Sequence, residues 1–162
     1  MRVMNPHLFH GQLVRLTTMN PETDAELVAR WNRDSEYLRS LDSEALHLLP
    51  AKKIKEELER EIERSDGFVF MIHTLADDRP IGFIELDGIR WTHGDAWVGI
   101  GIGEREDWGK GYGTDAMRVL LRYAFAELNL HRVSLDFFEY NVRAGRSYEK
   151  AGFVVEGRKR QE

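Results

Sequence analysis

Glycine is concentrated in one short part of this chain. Six of its fourteen glycines lie between positions 99 and 113. They alternate with other residues, at Gly99, Gly101, Gly103, Gly109, Gly111 and Gly113. A residue without a side chain lets the backbone take up unusual dihedral angles or come close to another group. The cluster therefore predicts a place where the main chain itself approaches either a ligand or a neighbouring segment.

The segments around this cluster carry the hydrophobic patterns of a mixed α/β domain. In chain order they predict β-α-α-β-β-β-α-β-α-β with no linker and no repeat, and hence a single domain over 1–162. The predicted strands are 12–17, 68–74, 80–91, 96–103, 132–138 and 153–155. The predicted helices cover 51–64 and 117–128 and begin at Pro21 and at Asn141. Residues 33–49 have a poor pattern and are assigned to a loop or to short helical turns.

Composition excludes several classes of protein. The chain has no cysteine, which excludes disulfides, thiolate nucleophiles and cysteine-ligated metals and is typical of a reducing cytoplasm. Its 28 acidic and 23 basic residues give a net charge of −5, which disfavours nucleic acid and favours cationic partners. No run approaches the roughly 20 apolar residues of a membrane span, and His7-x-x-His10 is too weak a pattern to predict a metal site. We expect a cytoplasmic protein without a metal, a membrane or a nucleic-acid partner.

The segment from Trp108 to Thr114 lies between a predicted strand and a predicted helix. Free amide N–H groups and the positive end of the helix dipole make such a junction suitable for a phosphate or a diphosphate, and Lys110 adds a cation. The segment fits neither of two common phosphate motifs. Lys110 is followed by Gly111 instead of Ser or Thr, and the glycine spacing differs from the dinucleotide fingerprint. Anion binding and a glycine-rich turn that only permits a tight connection both remain open on these features.

The same segment resembles the GNAT superfamily of N-acetyltransferases, whose signature Gln/Arg-x-x-Gly-x-Gly/Ala binds the diphosphate of acetyl-coenzyme A (acetyl-CoA). Gly111-Tyr112-Gly113 matches the Gly-x-Gly of that signature. Further stretches resemble the RimJ/RimL-like branch, namely 107–116, 129–133, 138–144, 148–153 and 156–158. The order of elements agrees from about Leu13 onward. One departure is Trp108, which stands where the superfamily has Gln or Arg.

The resemblance implies that an acceptor amine attacks the thioester of acetyl-CoA directly, without an acyl-enzyme, beside two splayed central strands. The coenzyme-binding residues that it implies are Gly101, Ile102, Gly103, Trp108, Gly109, Lys110, Gly111, Tyr112, Gly113 and Asn141. Asn141 is equally suited to capping the helix that follows it. The resemblance also makes Tyr148 the general acid that protonates the departing thiolate. The spacing of Tyr148 with Ala144 and Ala151 is, by itself, that of a core position.

The group that would accept the proton of the amine is the weakest point of the site. Trp97 stands near the place where several members of the superfamily have a Glu. The remaining candidates for the base are Glu85, Asp87 and His93, of which Glu85 is our candidate catalytic residue. The sequence is equally compatible with each of them as a turn or solvent-facing residue. At pH 7 roughly one lysine-type amine in 2,500 is neutral, against roughly one α-amine in eight, so a weak base favours an α-amine. The expected acceptor is a protein N-terminal amine or a small cationic amine, with 33–49 forming either part of its wall or a solvated loop.

Two features support other interpretations. The uncertain base and the tryptophan in the signature are also consistent with a catalytically silent acetyl-CoA sensor. The chain moreover stops where the superfamily continues into a further strand, so we expect the final strand to be incomplete or missing. An incomplete sheet has an open edge, which a second copy of the chain would complete as a homodimer.

Overall fold

A five-stranded mixed sheet forms the centre of the computed structural model, which describes residues 7–160. The strands lie side by side in chain order, β1-β2-β3-β4-β5. They are β1 (Val14–Thr18), β2 (Phe68–Thr74), β3 (Pro80–Arg90), β4 (Asp95–Ile102) and β5 (Arg132–Ser134). Neighbours from β1 to β4 are antiparallel, and β4 and β5 are parallel. The mixed α/β class expected from the sequence is confirmed.

Two helices begin at the residues that the sequence predicts, Pro21 and Ala51, and a third begins one residue after Asn141. The helix predicted over 117–128 begins earlier, at Tyr112. Asn20 caps α1 (Pro21–Trp31), because its side-chain oxygen accepts the N–H of Glu22 at 3.1 Å. Such a cap satisfies one of the amide groups that a helix start leaves free. The other long helices are α3 (Ala51–Glu63), α4 (Tyr112–Arg122) with a π-helical extension (Tyr123–Glu127), and α5 (Val142–Lys150).

An additional helix, α2 (Ser35–Leu41), lies in the poorly patterned stretch. Asp34 caps it by accepting the N–H groups of Glu36 and Tyr37 at 3.0 and 3.3 Å, and the Tyr37 side chain is buried. Seven residues are too few for a helical period to show in the sequence. The alternative of short helical turns is therefore correct for this part of 33–49, and the residues that follow α2 are irregular.

Helices cover both faces of the sheet. On one face α4 buries Met117 and Leu120 against strand residues such as Ile84. On the other face α1 and α2 bury Trp31 and Tyr37 beside the strands. Because side chains alternate along a strand, the even-numbered residues of β4 point towards α4 and the odd-numbered ones towards α1 and α2.

The two parallel strands diverge after a short paired region. Three residue pairs join Asp95–Trp97 to Arg132–Ser134, and β4 then continues alone on that side to Ile102. The expected splay of the central strands is present. The predicted extension of β5 to Phe138 is wrong, because the chain after Ser134 turns under α5, where Phe137 contacts the ring of Tyr148 with centroids 5.7 Å apart.

The strand predicted over 153–155 does not form. Val154 and Val155 are 82% and 58% exposed, and the segment is tied to the domain by ion pairs of Glu156 with Arg132 and of Lys159 with Asp136. A strand needs a neighbour with which it exchanges main-chain hydrogen bonds. β5 has only three residues and ends before it can serve as one.

Length and polarity separate the helices from membrane-spanning ones. The longest α-helix in the described residues, α3, has 13 residues and α4 with its π-helical extension covers 11 and 5, whereas a bilayer requires about 20 apolar residues. Within residues 7–160 no helix meets both requirements.

The glycines of β4 make room for the protein's own side chains. A Cβ atom at Gly103 would lie 2.1 Å from Cδ2 of Trp31, and one at Gly101 would lie 2.8 Å from the hydroxyl of Tyr37. The face of β4 that these glycines leave bare is thus filled by α1 and α2. Of the two alternatives that the glycine cluster left open, a neighbouring segment is correct for Gly101 and Gly103, because an aromatic layer of the protein occupies this face.

We expect Gly103→Ala to lower the free energy of unfolding by about 1–3 kcal/mol, the usual cost of overpacking a core. Trp31 is 2% exposed and has no room to withdraw. Urea unfolding measures the effect. Gly157→Ala is the matched control, since a Cβ there meets no atom within 4 Å. Equal unfolding midpoints for the two variants would refute this role of Gly103.

Candidate active site

The divergence of β4 from β5 opens a groove of about 360 Å³. Its walls are Ile100–Ile102 of β4, residues 107–109 and 111–114 at the approach to α4, and residues 141–144 and 146–148 at the start and middle of α5. Most of the predicted coenzyme-binding residues, together with Tyr148, therefore meet at one groove. The sequence pattern alone could not show that β4 and α5 face each other across it.

The start of α4 presents unused amide groups to this groove. Gly111 has a φ of 87°, a conformation that favours glycine, and precedes the helix without a side-chain cap. The first hydrogen bond of the helix runs from the N–H of Asp115 to the carbonyl of Gly111 at 3.0 Å. The N–H groups of Tyr112, Gly113 and Thr114 precede that bond and have no partner within the helix. Together with the helix dipole they form a site suited to an anion.

Trp108 fastens the loop before α4 to the end of β4. Its indole N–H donates to the carbonyl of Ile102 at 2.7 Å. The N–H of the indole is thereby used inside the protein, so Trp108 has no donor left for a ligand. Its ring lies in the groove wall, and the guanidinium carbon of Arg143 lies 3.8 Å from the ring centroid.

A buried ion pair fixes the same loop from the other side. Both carboxylate oxygens of Asp107 accept hydrogen bonds from Arg79, each at 2.8 Å, and the Asp107 side chain is 1% exposed. Two parallel hydrogen bonds between a guanidinium and a carboxylate fix the relative orientation of the two groups as well as their separation. The loop is therefore held by two anchors, at Trp108 and at Asp107, independently of any ligand.

α5 contributes three cations that the candidate residues did not include. Arg143, Arg146 and Lys150 all line the groove. They recur at spacings of three and four residues, which places them on one face of a helix. That spacing was visible in the sequence and could have identified them. An anion bound along this groove would meet positive charge along about 10 Å, the rise of seven helical residues.

Asn141 caps α5, and it also lies in the groove wall. Its side-chain oxygen accepts the N–H of Ala144 at 3.3 Å, and the residue lines the groove. The capping interpretation is confirmed. Because the side-chain NH₂ remains available as a donor, the cap does not exclude a contact with a ligand.

Tyr148 lines the groove and also packs against the core. The ring contacts Phe137 and Phe153, with centroids 5.7 and 6.2 Å away. Burial raises the pKa of the phenol to about 12, although Arg143 opposes this shift. The phenol is therefore fully protonated at neutral pH and able to donate a proton. Both interpretations of Tyr148 from the sequence, core packing and a general acid, are compatible with this position.

Two of the predicted coenzyme-binding residues do not line the groove. Lys110 has an exposed side chain between the groove-lining Gly109 and Gly111. Gly103 lies instead at a wide, shallow depression of about 430 Å³ near α1. The carboxylate of Glu104 there is bound to Arg30 and to the indole N–H of Trp31, so its charge is already paired.

Glu85 lies in the middle of β3, on the sheet face opposite the groove side of Tyr148. Its carboxylate extends over β4, where a Cβ at Gly99 would be 3.0 Å from Oε1. Burial, and to a smaller degree the charges of Glu61 and Asp87, raise the pKa of Glu85 to about 7. A carboxylate with this pKa is a general base suited to neutral pH. The interpretation of Glu85 as a turn or solvent-facing residue is wrong.

The other two candidate bases are placed differently. Asp87 is held in an ion pair with Arg64, which leaves its carboxylate less available to a substrate. His93 lies in the turn between β3 and β4, where its Nδ1 is 3.1 Å from the hydroxyl of Thr92. None of the three candidate bases, Glu85 included, lines the groove. Glu85 differs from the other two by its burial and its raised pKa, and the turn interpretation holds for His93.

α2 and the segment before α5 meet at the end of the groove. Ser40 of α2 lines it, and the hydroxyl of Tyr140 donates to the carbonyl of Arg39 at 2.7 Å. One residue of 33–49 therefore lines the groove, while a wall around the acceptor stays a prediction.

A sheet that splays beside an amide-lined groove, with a protonated tyrosine in the wall, is the architecture of an acetyltransferase domain. Residues 14–154 match the family model of the acetyltransferase (GNAT) domain, and the chain belongs to that family. The more specific resemblance to the RimJ/RimL-like branch stays a prediction.

Named relatives agree with this membership. The chain is 39% identical over 107 residues to the Bacillus subtilis protein named "Probable N-acetyltransferase YjcK", a match that covers 65% of the chain and 58% of YjcK. It is 32% identical over 132 residues to spermidine N(1)-acetyltransferase of Escherichia coli K12, which covers 76% of the chain and 69% of that protein.

A solved structure shows the same fold. Spermidine N-acetyltransferase from Vibrio cholerae, in complex with CoA and spermine, superposes with a TM-score of 0.78 at 26% identity, over 89% of this chain and 82% of that one.

The match to the sequence relative YjcK spans less than two thirds of that protein's length.

Proposed function

We propose that this protein is an acetyl-CoA-dependent N-acetyltransferase that acetylates a primary amine of a small cationic acceptor of the polyamine type. The proposal rests mainly on one observation: Tyr148 and the free N–H groups at the start of α4 line the same groove. A single ligand with an anionic end and a reactive end would contact both.

Acetyl-CoA has the chemistry that this groove would bind. Its diphosphate suits the N–H groups of residues 112–114 and the dipole of α4. Its further negative charge suits Arg146 and Lys150 of α5. Its extended amide-bearing arm suits the main chain of Ile100–Ile102, which has no strand partner on the side of the splay.

The chemical step needs two proton transfers, for which two side chains are suited. In direct attack the amine nitrogen bonds to the acetyl carbon and the carbon–sulfur bond breaks. Tyr148 would donate a proton to the departing thiolate. Glu85 would accept one proton from the ammonium group before attack, and the second proton that the nitrogen loses balances the one given to sulfur.

The charge around Glu85 favours a cationic aliphatic amine. Glu61 and Asp87 lie near enough to raise the pKa of Glu85, and Trp97, which pairs with Asp87 across the strands, is 48% exposed. Arg64 is paired with both Glu61 and Asp87, but together with Glu85 these carboxylates outnumber that one cation. The exposed indole also attracts alkylammonium groups. With a base of pKa about 7 the amine does not have to arrive neutral, so the preference for an α-amine loses its main reason. The names of the two spermidine acetyltransferases among the relatives and structures agree with this choice.

Release of CoA thiol from acetyl-CoA tests the proposal. The purified protein is incubated with acetyl-CoA and with spermidine, spermine, lysine or a peptide with a free N-terminus, and thiol formation is followed. We expect turnover with the polyamines, with kcat/KM at least tenfold higher than for the peptide or lysine.

Other outcomes would contradict parts of the proposal. Turnover with the peptide alone would overturn the acceptor and keep the acetyltransferase. Binding of acetyl-CoA in calorimetry without turnover of any amine would instead favour the catalytically silent sensor.

A further inference from the structure

The guanidinium of Arg143 is stacked on the ring of Trp108 in the groove wall. Its carbon lies 3.8 Å from the ring centroid, a distance at which cation–π attraction is effective. Trp108 is itself held by the hydrogen bond from its indole N–H to Ile102. The ring is thus a fixed platform, and the side chain of Arg143 is oriented by it.

Arg143 differs from the other arginine near this ring. The carbon of Arg105 is 5.7 Å from the ring centroid, and its charge is paired with the carboxylates of Asp34 and Glu36. Among the residues that the structure describes, Arg143 has no carboxylate within ion-pair distance. Glu36 is near enough to act on the pKa of Arg143, but no carboxylate is bound to its guanidinium, which presents its N–H groups and its positive charge to the groove.

The stacked geometry leaves the donors of Arg143 free. A cation–π contact uses the flat face of the guanidinium, whereas its N–H groups point outward in the plane of the group. Trp108 and Arg143 line the groove together with Gly109, Gly111 and Gly113. The N–H groups of α4 and the guanidinium thus converge on one region from two walls.

We propose that Arg143 is a diphosphate-binding residue and that Trp108 is its positioning platform. The indole of Trp108 cannot bind an anion itself. It holds the guanidinium of Arg143 beside the loop before α4, where that group would donate to a bound diphosphate. This assignment rests on the proposed function, because it requires that the groove bind a coenzyme with a diphosphate. It also gives a role to the tryptophan that departs from the Gln or Arg of the family signature.

Binding of three ligands by calorimetry tests the proposal. CoA has both a diphosphate and a 3′-phosphate, 3′-dephospho-CoA has the diphosphate alone, and pantetheine has neither. We expect Arg143→Ala to weaken CoA and 3′-dephospho-CoA by a similar factor, about tenfold or more, and to leave pantetheine unchanged. Added salt should weaken wild type more than the variant, because a charge contact is screened.

Variants of the platform test the second half of the proposal. Trp108→Phe keeps an aromatic face and should retain most of the affinity for CoA. Trp108→Leu removes that face and should lose several-fold. In the Trp108→Leu background, Arg143→Ala should cost less than in wild type, since a residue that acts through another is not additive with it. Arg143→Lys, which keeps the charge without the fork, should fall between wild type and Arg143→Ala.

Each contrary result has a separate meaning. A loss with CoA but none with 3′-dephospho-CoA would place Arg143 on the 3′-phosphate and overturn the proposal. An equal loss with pantetheine would show a structural role, and no loss would exclude Arg143. If wild type itself binds none of the three ligands, the proposed function fails first. Arg60→Ala, which removes an exposed cation of α3 outside the groove, controls for the change in net charge.

Discussion

Replacing Tyr148 by Phe should lower kcat by about 10- to 1,000-fold while the affinity for acetyl-CoA stays near that of wild type. The substitution removes only the hydroxyl, which is the proton donor proposed for the thiolate and whose pKa, raised to about 12, keeps it protonated at neutral pH. Steady-state kinetics with a polyamine acceptor gives kcat, and calorimetry gives the affinity. A fall in kcat without a change in affinity is the signature of a group that acts in the transition state.

The fold should not complicate this comparison, because the phenyl ring retains the contacts with Phe137 and Phe153. Tyr123→Phe is the matched control. Tyr123 packs among Phe9, Phe68 and Phe70 on the other side of α4 and does not line the groove. An unchanged kcat in Tyr148→Phe would assign Tyr148 to core packing alone.

Replacing Glu85 by Gln should lower kcat/KM for a polyamine by about 100-fold or more at pH 7. The proposed role of Glu85 is to accept a proton from an ammonium group, and Gln has the same shape but accepts no proton. Without that base only the neutral amine reacts, and at pH 7 this is a small fraction of the acceptor.

The pH profile distinguishes this role from a loss of binding. The pKa of Glu85 is raised to about 7, so its basic form appears only as the pH rises through 7. In wild type kcat/KM should rise tenfold per unit below pH 7 and then level off. In Glu85→Gln it should keep rising towards the pKa of the amine, about 10, so that the difference between the two proteins narrows with pH. Parallel profiles would show that the base lies elsewhere.

Stability provides an independent control for this variant. Because the folded-state pKa of Glu85 lies above its ordinary value of 4.5, the folded state binds the proton more tightly, and stability from this group falls as the pH rises from about 4.5 to 7. Glu85→Gln should therefore be at least as stable as wild type at pH 8. Asp87→Asn, on the same strand face, should keep the bend in the profile and move it to slightly lower pH.

Much of this fold was predictable because its signals are local. Caps such as Asn20, the glycine of a left-handed turn at Gly111, and alternating strands are all determined by neighbouring residues. The helix α2 was not predictable as such, because seven residues show no period and burial of Tyr37 depends on β4. The strand predicted over 153–155 is absent for a related reason. Val154 and Val155 have side chains that favour a strand, but a strand must pair with a neighbour, and β5 is too short to be that neighbour.

The site was predictable in part. The loop of residues 109–113 and Tyr148 belong to motifs of the GNAT superfamily, so both were identified from the sequence. The raised pKa of Glu85 depends instead on its burial and on the charge of Glu61, more than 20 residues away along the chain. No local pattern in the sequence indicates either of these causes. The glycines of β4 were correctly identified as places of close approach, yet the neighbour is Trp31 and Tyr37 of the same molecule.

The ion pair between Arg79 and Asp107 links the groove to a distant hairpin. Arg79 follows the turn between β2 and β3, and its partner is the buried carboxylate one residue before Trp108. A longer or altered turn would therefore displace the loop proposed to bind the coenzyme without contacting it. A surface turn and a groove on another part of the domain are coupled in this protein through a single arginine side chain.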